Sequence, residues 1–260
     1  MAQPSHTILI TGATSGFGEA TAHRFAAEGW RVIITGRRKE RLDALQRELH
    51  GLYGVAEVQA VHCLHFDVRD QAAVEKAMGG LPEEWQAIDV LVNNAGLAAG
   101  LDSIQEGAAD DWDRMIDTNV KGLLYVSRAV IPGMIARGKG HIINIGSTAG
   151  KEVYPKGNVY CASKHAVDAL SKGMRQDLLP HGIKVTQIAP GLAETEFSLV
   201  RFHGDEDKAR APYQGLNPLK GEDIAHLVHF VTTLPAHVCV NDLVVTPTAQ
   251  ASSMVVHRRS

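Results

Sequence analysis

Thr11-Gly12-Ala13-Thr14-Ser15-Gly16-Phe17-Gly18 is a glycine-rich turn between two segments of different period. Residues 8–11 run into it as a short apolar stretch that reads as a strand. Beyond it, apolar positions recur with helical spacing as far as residue 28. Glycines at such a junction permit the tight reversal and let backbone N–H groups approach a pyrophosphate, whose charge suits a helix N-terminus. Any strand-to-helix turn can call for glycine, so the weight rests on what surrounds it.

Outward from this turn, the same alternation repeats. Residues 31–35, 58–66, 88–92, 141–145, 184–188 and 243–246 read as further strands. Residues 16–28, 39–50, 71–78, 109–137, 159–179 and 222–233 read as helices, with Gly29, Gly51, Gly138 and Gly182 as C-terminal caps. Strands alternating with helices predict an α/β protein, a Rossmann-like doubly wound parallel sheet in a single domain spanning 1–260. One stretch breaks the alternation. Residues 191–221 are polar and irregular, and an insertion beyond a strand's carboxyl end is placed to act as a lid over the ligand crevice. Residues 252–260 form a short basic tail, read either as solvated or as reaching a neighbouring subunit.

Composition narrows the function. A net charge of −3 lacks the broad basic footprint of a nucleic-acid binder. Cys63, Cys161 and Cys239 are odd in number and have no Cys-x-x-Cys spacing, against a disulfide framework and a zinc site. The histidine pairs His62/His65 and His226/His229 lack a completing ligand set, so no metal is expected. No apolar run approaches a membrane span, and the N-terminus lacks a basic, apolar leader. A cytoplasmic protein with no membrane or nucleic-acid partner is expected.

The strand ends supply the candidate binding surface. The second strand closes in Thr35-Gly36-Arg37-Arg38, with two arginines where an NAD site places an acid. Guanidinium groups pair with phosphate through charge-assisted hydrogen bonds, so NADP(H) is expected over NAD(H). Arg41 reads as solvated. Asp67-Val68 ends the third strand, where a carboxylate accepts an adenine amino group, although Asp67 alone equally suits a helix cap. Asn93-Asn94-Ala95-Gly96 ends the fourth with small residues that let a nucleotide pack on backbone. Cofactor contacts are thus assigned to Gly12, Thr14, Ser15, Gly16, Phe17, Gly18, Arg37, Arg38, Asp67, Val68, Asn93, Asn94, Ala95 and Gly96.

Tyr160 and Lys164 lie one turn apart on a helix, so both face one way. A phenol ordinarily titrates near 10, about three units too high for a base at neutral pH. An adjacent ammonium favours the phenolate, and three units correspond to about 4 kcal/mol. Ser147, just past its strand, is placed to polarise a substrate oxygen, and Asn119 to hold a water near Lys164. Each pattern taken alone also occurs as ordinary helix surface or packing.

Together these residues carry a resemblance to the short-chain dehydrogenase/reductase family. The matching positions are the turn Thr11 to Gly18, the Asn93-Asn94-Ala95-Gly96 run, the set Asn119, Ser147, Tyr160 and Lys164, and Pro190-Gly191 with Thr195. The resemblance implies that Tyr160 is the acid/base and that Lys164 also grips the nicotinamide ribose. It further implies that Pro190, Gly191 and Thr195 hold the nicotinamide, and that the protein is a homo-oligomer, a tetramer sooner than a dimer. Ile145-Gly146-Ser147-Thr148-Ala149-Gly150, the segment Glu194 to Phe202 and Thr248-Ala249-Gln250-Ala251 resemble the NADP-dependent 3-hydroxy acid dehydrogenase branch. That branch implies a small acidic hydroxy or carbonyl substrate, of the serine, allo-threonine or 3-hydroxypropionate type. Its contacts are placed on Ser147, Tyr160, Lys151 and Arg201, with Arg201 as carboxylate partner or as a lid salt bridge to Asp205 or Glu206. Lys151 and Lys156 near the pocket also suit a sulfonate, as in the similar sulfoacetaldehyde reductases. A nucleotide-binding regulatory protein without turnover is the remaining alternative.

Overall fold

Runs of Ile, Val and Leu without polar alternation make strands buried on both faces, as a parallel sheet between two helical layers requires. The computed structural model describes residues 6–53 and 61–259. In it, β1 (Thr7–Ile10) leads through the glycine-rich turn to α1 (Gly16–Ala27), followed by β2 (Arg31–Gly36) and α2 (Lys39–Tyr53). Then come β3 (Val61–His65), α3 (Gln71–Gly79) and β4 (Val90–Asn93). A long helix, α4 (Ala109–Ile116) continuing into α5 (Leu123–Arg137), precedes β5 (Gly140–Ile145), α6 (Asn158–Leu178) and β6 (Ile183–Pro190). Two short helices, α7 (Glu196–Arg201) and α8 (Glu206–Arg210), lead to α9 (Gly221–Thr232) and β7 (Asp242–Val245).

Among the described residues the seven strands are all parallel, in the order β3-β2-β1-β4-β5-β6-β7. This is the doubly wound Rossmann arrangement, with its order reversing between β1 and β4. Alternate strand residues feed opposite layers. Ile8, Ile10, Val32, Ile34, Val90 and Val92 pack with Phe25, Leu42 and Val228 of α1, α2 and α9. Leu9, Ile33, Leu91, Ile142 and Val185 pack on the other face with Val74, Val126 and Met134. Each such fully buried branched side chain contributes about 1.5–3 kcal/mol, so the strand positions are fixed far more firmly than the loops at their ends.

Of the strand read over 58–66, residues 58–60 lie outside the described residues and Val61–His65 are strand. Three sequence expectations change in detail. Gly51 lies within α2, whereas Gly29, Gly138 and Gly182 adopt the left-handed conformation of a helix stop. The single helix read over 109–137 contains a wider π-helical turn, Asp117–Gly122, that buries Thr118 and Asn119. A side chain at Gly122 would meet Val68, so close packing on the end of the third strand accompanies this turn. The segment 191–221 is not structureless, since it carries α7 and α8.

Candidate active site

The carboxyl ends of the strands open into a cleft of about 500 Å³ at the β1/β4 reversal. Its floor is the glycine-rich turn. Gly12 has a φ of 65°, and a Cβ there would lie 2.9 Å from the Ala95 Cα. The turn is tied to the end of β4. Asn94 Nδ2 donates to the carbonyl oxygens of Thr11 and Gly12 at 2.9 and 3.1 Å, and Thr11 Oγ1 accepts from the amides of Asn94 and Ala95. Only hydrogen fits beneath this backbone, which leaves a cradle for a phosphate-bearing group.

Gly12, Thr14, Ser15, Gly16, Phe17, Arg37, Arg38, Asp67, Val68, Asn94, Ala95 and Gly96 all line the cleft. Asn93 and Gly18 do not. Successive strand residues face opposite ways, so Asn93 turns into the core, where its Nδ2 donates to Ser127 Oγ and Asn144 Oδ1, both at 2.9 Å. Gly18 lies beneath the turn, where a side chain would strike the Gly12 carbonyl. Both therefore support the cradle from below instead of facing into it.

Beside the glycine-rich turn the charges form a network. Arg38 Nη2 donates to Thr14 Oγ1 at 2.9 Å and Ser15 Oγ at 3.2 Å, and its Nη1 to Glu196 Oε2 at 3.0 Å. Arg41, expected to be solvated, donates to Glu196 Oε1 at 2.6 Å. Arg37 lies 3.7 Å from Asp67. Burial works to raise the Asp67 carboxyl, but Arg69 and Arg37 outweigh it and hold it below the usual range. The helix cap comes instead from Asp70, which accepts from the Ala73 amide. Glu196 escaped sequence reading because more than 150 residues separate it from Arg38 and Arg41. With a side-chain-free cradle and clustered guanidinium groups beside it, these residues fit a dinucleotide bearing an extra phosphate.

Around the reactive end, α6 presents Tyr160 and Lys164 to the cleft, and Ser147 lines it beside them. Lys164 Nζ donates to the Ile145 carbonyl at 2.9 Å, and burial lowers the ammonium to about 8. Burial raises the Tyr160 phenol well above its ordinary value, opposed by the Ser147 hydroxyl and the Arg201 charge. Asn119 does not line the cleft. Its amide accepts from Leu97 N and donates to Leu97 O, both at 2.8 Å, and donates to Ser163 Oγ at 3.0 Å. It pins the loop after β4 to α6, a role that sequence reading did not assign.

Pro190, Gly191 and Thr195 line the opposite wall. Gln250 Oε1 accepts from Leu192 N at 2.7 Å beneath them. Thr195 caps α7 and rests against Gly16. At the other end of α7, Arg201 enters the cleft. Its Nε donates to the Gly100 carbonyl at 3.2 Å and its Nη1 to Tyr154 Oη at 2.9 Å. The guanidinium lies 5.6 Å from the Tyr160 ring centroid, and its buried Nη2 has no hydrogen-bond partner. Asp205 and Glu206 pair with Lys208 and Arg210, so the lid salt bridge read for Arg201 is not formed.

Lys151, expected at the substrate, instead bridges Asp168, at 2.5 Å, and Asp242, and does not line the cleft. Two carboxylates on α6 and the edge strand outcompete a solvated pocket rim for its ammonium. Lys156 is also outside the cleft and exposed. The tail, through residue 259, packs on its own chain. His257 N donates to Ala249 O, Arg259 N to Gly215 O, and Arg258 to Gln214 O, while Ser253 reaches the cleft wall.

A family model described as short chain dehydrogenase matches residues 6–204. The chain belongs to the short-chain dehydrogenase family. This dehydrogenase is 50% identical over 253 residues to the NADP-dependent 3-hydroxy acid dehydrogenase YdfG of Salmonella typhi, covering 96% of this chain and 99% of the relative. It is also 49% identical over 247 residues to a sulfoacetaldehyde reductase of Chromohalobacter salexigens, covering 95% of each. The closed form of serine dehydrogenase complexed with NADP+ superimposes with a TM-score of 0.90 at 48% identity. That match covers 97% of the dehydrogenase described here and all of the solved chain.

Proposed function

We propose that this dehydrogenase interconverts a small 3-hydroxy acid and its 3-oxo acid with NADP(H). The observation that carries this reading is Arg201. A half-buried guanidinium held by Gly100 and Tyr154, with one buried nitrogen unpartnered beside Tyr160, is a prepared site for an anion. An unpaired buried donor is costly, and a substrate carboxylate would relieve it. The closeness of that cation to the Tyr160 ring, 5.6 Å, favours an acid whose charge lies only a few bonds from the reacting carbon.

NADP(H), when bound, supplies or accepts the hydride. In this reading the glycine-rich turn takes the pyrophosphate, Arg37 and Arg38 the 2′-phosphate, and Lys164 and Thr195 the nicotinamide side. Ser147 hydrogen-bonds the substrate oxygen. Tyr160, held as a phenol by burial, gives its proton to that oxygen in reduction and takes it back in oxidation.

The relatives divide at nearly equal identity, 50% and 49%, between a 3-hydroxy acid dehydrogenase and a sulfoacetaldehyde reductase. Lys151 and Lys156, the cations that pointed to a sulfonate, do not line the cleft, which favours the carboxylate. A cytoplasmic homo-oligomer, tetramer sooner than dimer, completes the reading. It is supported by three free cysteines and by exposed Leu124, Ile135 and Val244, which a second copy would cover.

Initial rates with NADP+ across serine, allo-threonine, 3-hydroxypropionate, 3-hydroxyisobutyrate and isethionate test the substrate class through kcat/KM. The carboxylates should lead, and Arg201→Met should lower their kcat/KM about 10- to 100-fold with unchanged cofactor affinity. Preference for isethionate, or a variant within twofold of wild type, would overturn the reading.

A further inference from the structure

One carboxylate already sits where an anion is to be received. Glu196 lies between two arginines, with Oε2 accepting from Arg38 at 3.0 Å and Oε1 from Arg41 at 2.6 Å. Thr14 and Ser15 of the glycine-rich turn hold the opposite edge of the Arg38 guanidinium. Arg38 is thus fixed on one side by the turn and on the other by α7. Arg37, Arg38 and Glu196 all line the same end of the cleft.

We propose that Glu196 is a specificity-determining residue, an internal anion that competes with the cofactor's 2′-phosphate for Arg38. This rests on the reading that the phosphate is received at Arg37 and Arg38. A phosphate monoester carries about −1.5 to −2 charges and three strong acceptor oxygens, whereas Glu196 offers one charge and two oxygens. The phosphate displaces the carboxylate. A ribose hydroxyl is neutral and leaves the ion pairs in place, so NAD(H) binds without disturbing Glu196.

The competition weakens NADP(H) binding and eases its release. It also has a mechanical side. Glu196 opens α7 and Arg201 closes it, so a helix of six residues spans from the phosphate arginines to the reactive end. Displacing Glu196 frees the first end of that helix while Arg201 remains on Gly100 and Tyr154 at the other.

Calorimetric titration of the full-length protein tests this without turnover. The probes are adenosine 2′,5′-bisphosphate and adenosine 5′-monophosphate, against wild type and Glu196→Gln. Glu196 is partly exposed and Gln is of equal size, so folding is preserved. The variant should bind the bisphosphate about three- to tenfold more tightly, with the monophosphate within twofold of wild type. Unchanged or weaker bisphosphate binding by the variant would overturn the competition. Equal affinity of the wild type for the two probes would instead remove the phosphate site itself. Neither result depends on which hydroxy acid is the substrate.

Discussion

Two ionisable side chains show how burial decides chemistry residue by residue. Tyr160 is raised by burial and Lys164 is lowered to about 8 by the same cause, because each loses water around its charged form. The sign for catalysis follows. A phenol whose pKa is raised keeps its proton through neutral pH, so reduction should hold a level kcat/KM from about pH 6 to 7, below the Lys164 titration near 8. Oxidation draws on the deprotonated form, so its kcat/KM should climb with pH, by at most about tenfold per unit. Tyr160→Phe should lower both directions by about 100-fold or more and abolish the climb, as pH–rate profiles of the two proteins would record. A slope that survives in the variant would assign the proton to another group. Lys151 illustrates the opposite case, a cation spent on structure. Lys151→Met leaves Asp168 short of a partner and should cost about 1–2 kcal/mol, a Tm lower by about 2–8 °C. Its kcat/KM for 3-hydroxy acids should stay within twofold, and a selective loss there would return Lys151 to the pocket.

Among the elements, the long helix from residue 109 to 137 shows why the site cannot be read from periodicity alone. Its wide turn at Asp117–Gly122 buries Asn119, whose amide is spent on both backbone groups of Leu97. Asn119→Ala would leave that buried amide and carbonyl unpaired, at about 1–3 kcal/mol. Urea unfolding should show this loss, with kcat/KM falling because the loop carrying Gly96 and Leu97 forms the cleft wall. Unaltered stability would mean that water replaces the side chain and that the loop does not depend on it. Between β6 and α9, α7 depends on its partners at both ends, since six residues are too few to persist as an isolated helix.

For the whole molecule, the cleft joins both halves of the sheet, so a ligand that spans it stabilises the entire fold by mass action. NADP+ at about 100 times its dissociation constant should add about 2.7 kcal/mol, raising Tm by about 5–10 °C. NAD+ at the same concentration should raise it far less. Equal shifts for the two dinucleotides would contradict the phosphate site at Arg37 and Arg38.

The amino-acid sequence by itself determined the parallel α/β plan, since β-branched runs and helical periods alternate, and the glycine-rich turn marks where the first strand meets the first helix. It also brought Ser147, Tyr160 and Lys164 to notice, because local spacing and strand ends report which side chains share a face. Tertiary structure alone decided what lies opposite them. Glu196 on Arg38 and Arg41, Lys151 on Asp168 and Asp242, and Asn119 on Leu97 join residues 17 to 158 positions apart. No local pattern encodes such pairings. A charged or polar side chain chooses among distant partners only after the core has fixed the strands, and the same residue types serve equally as solvated surface until then.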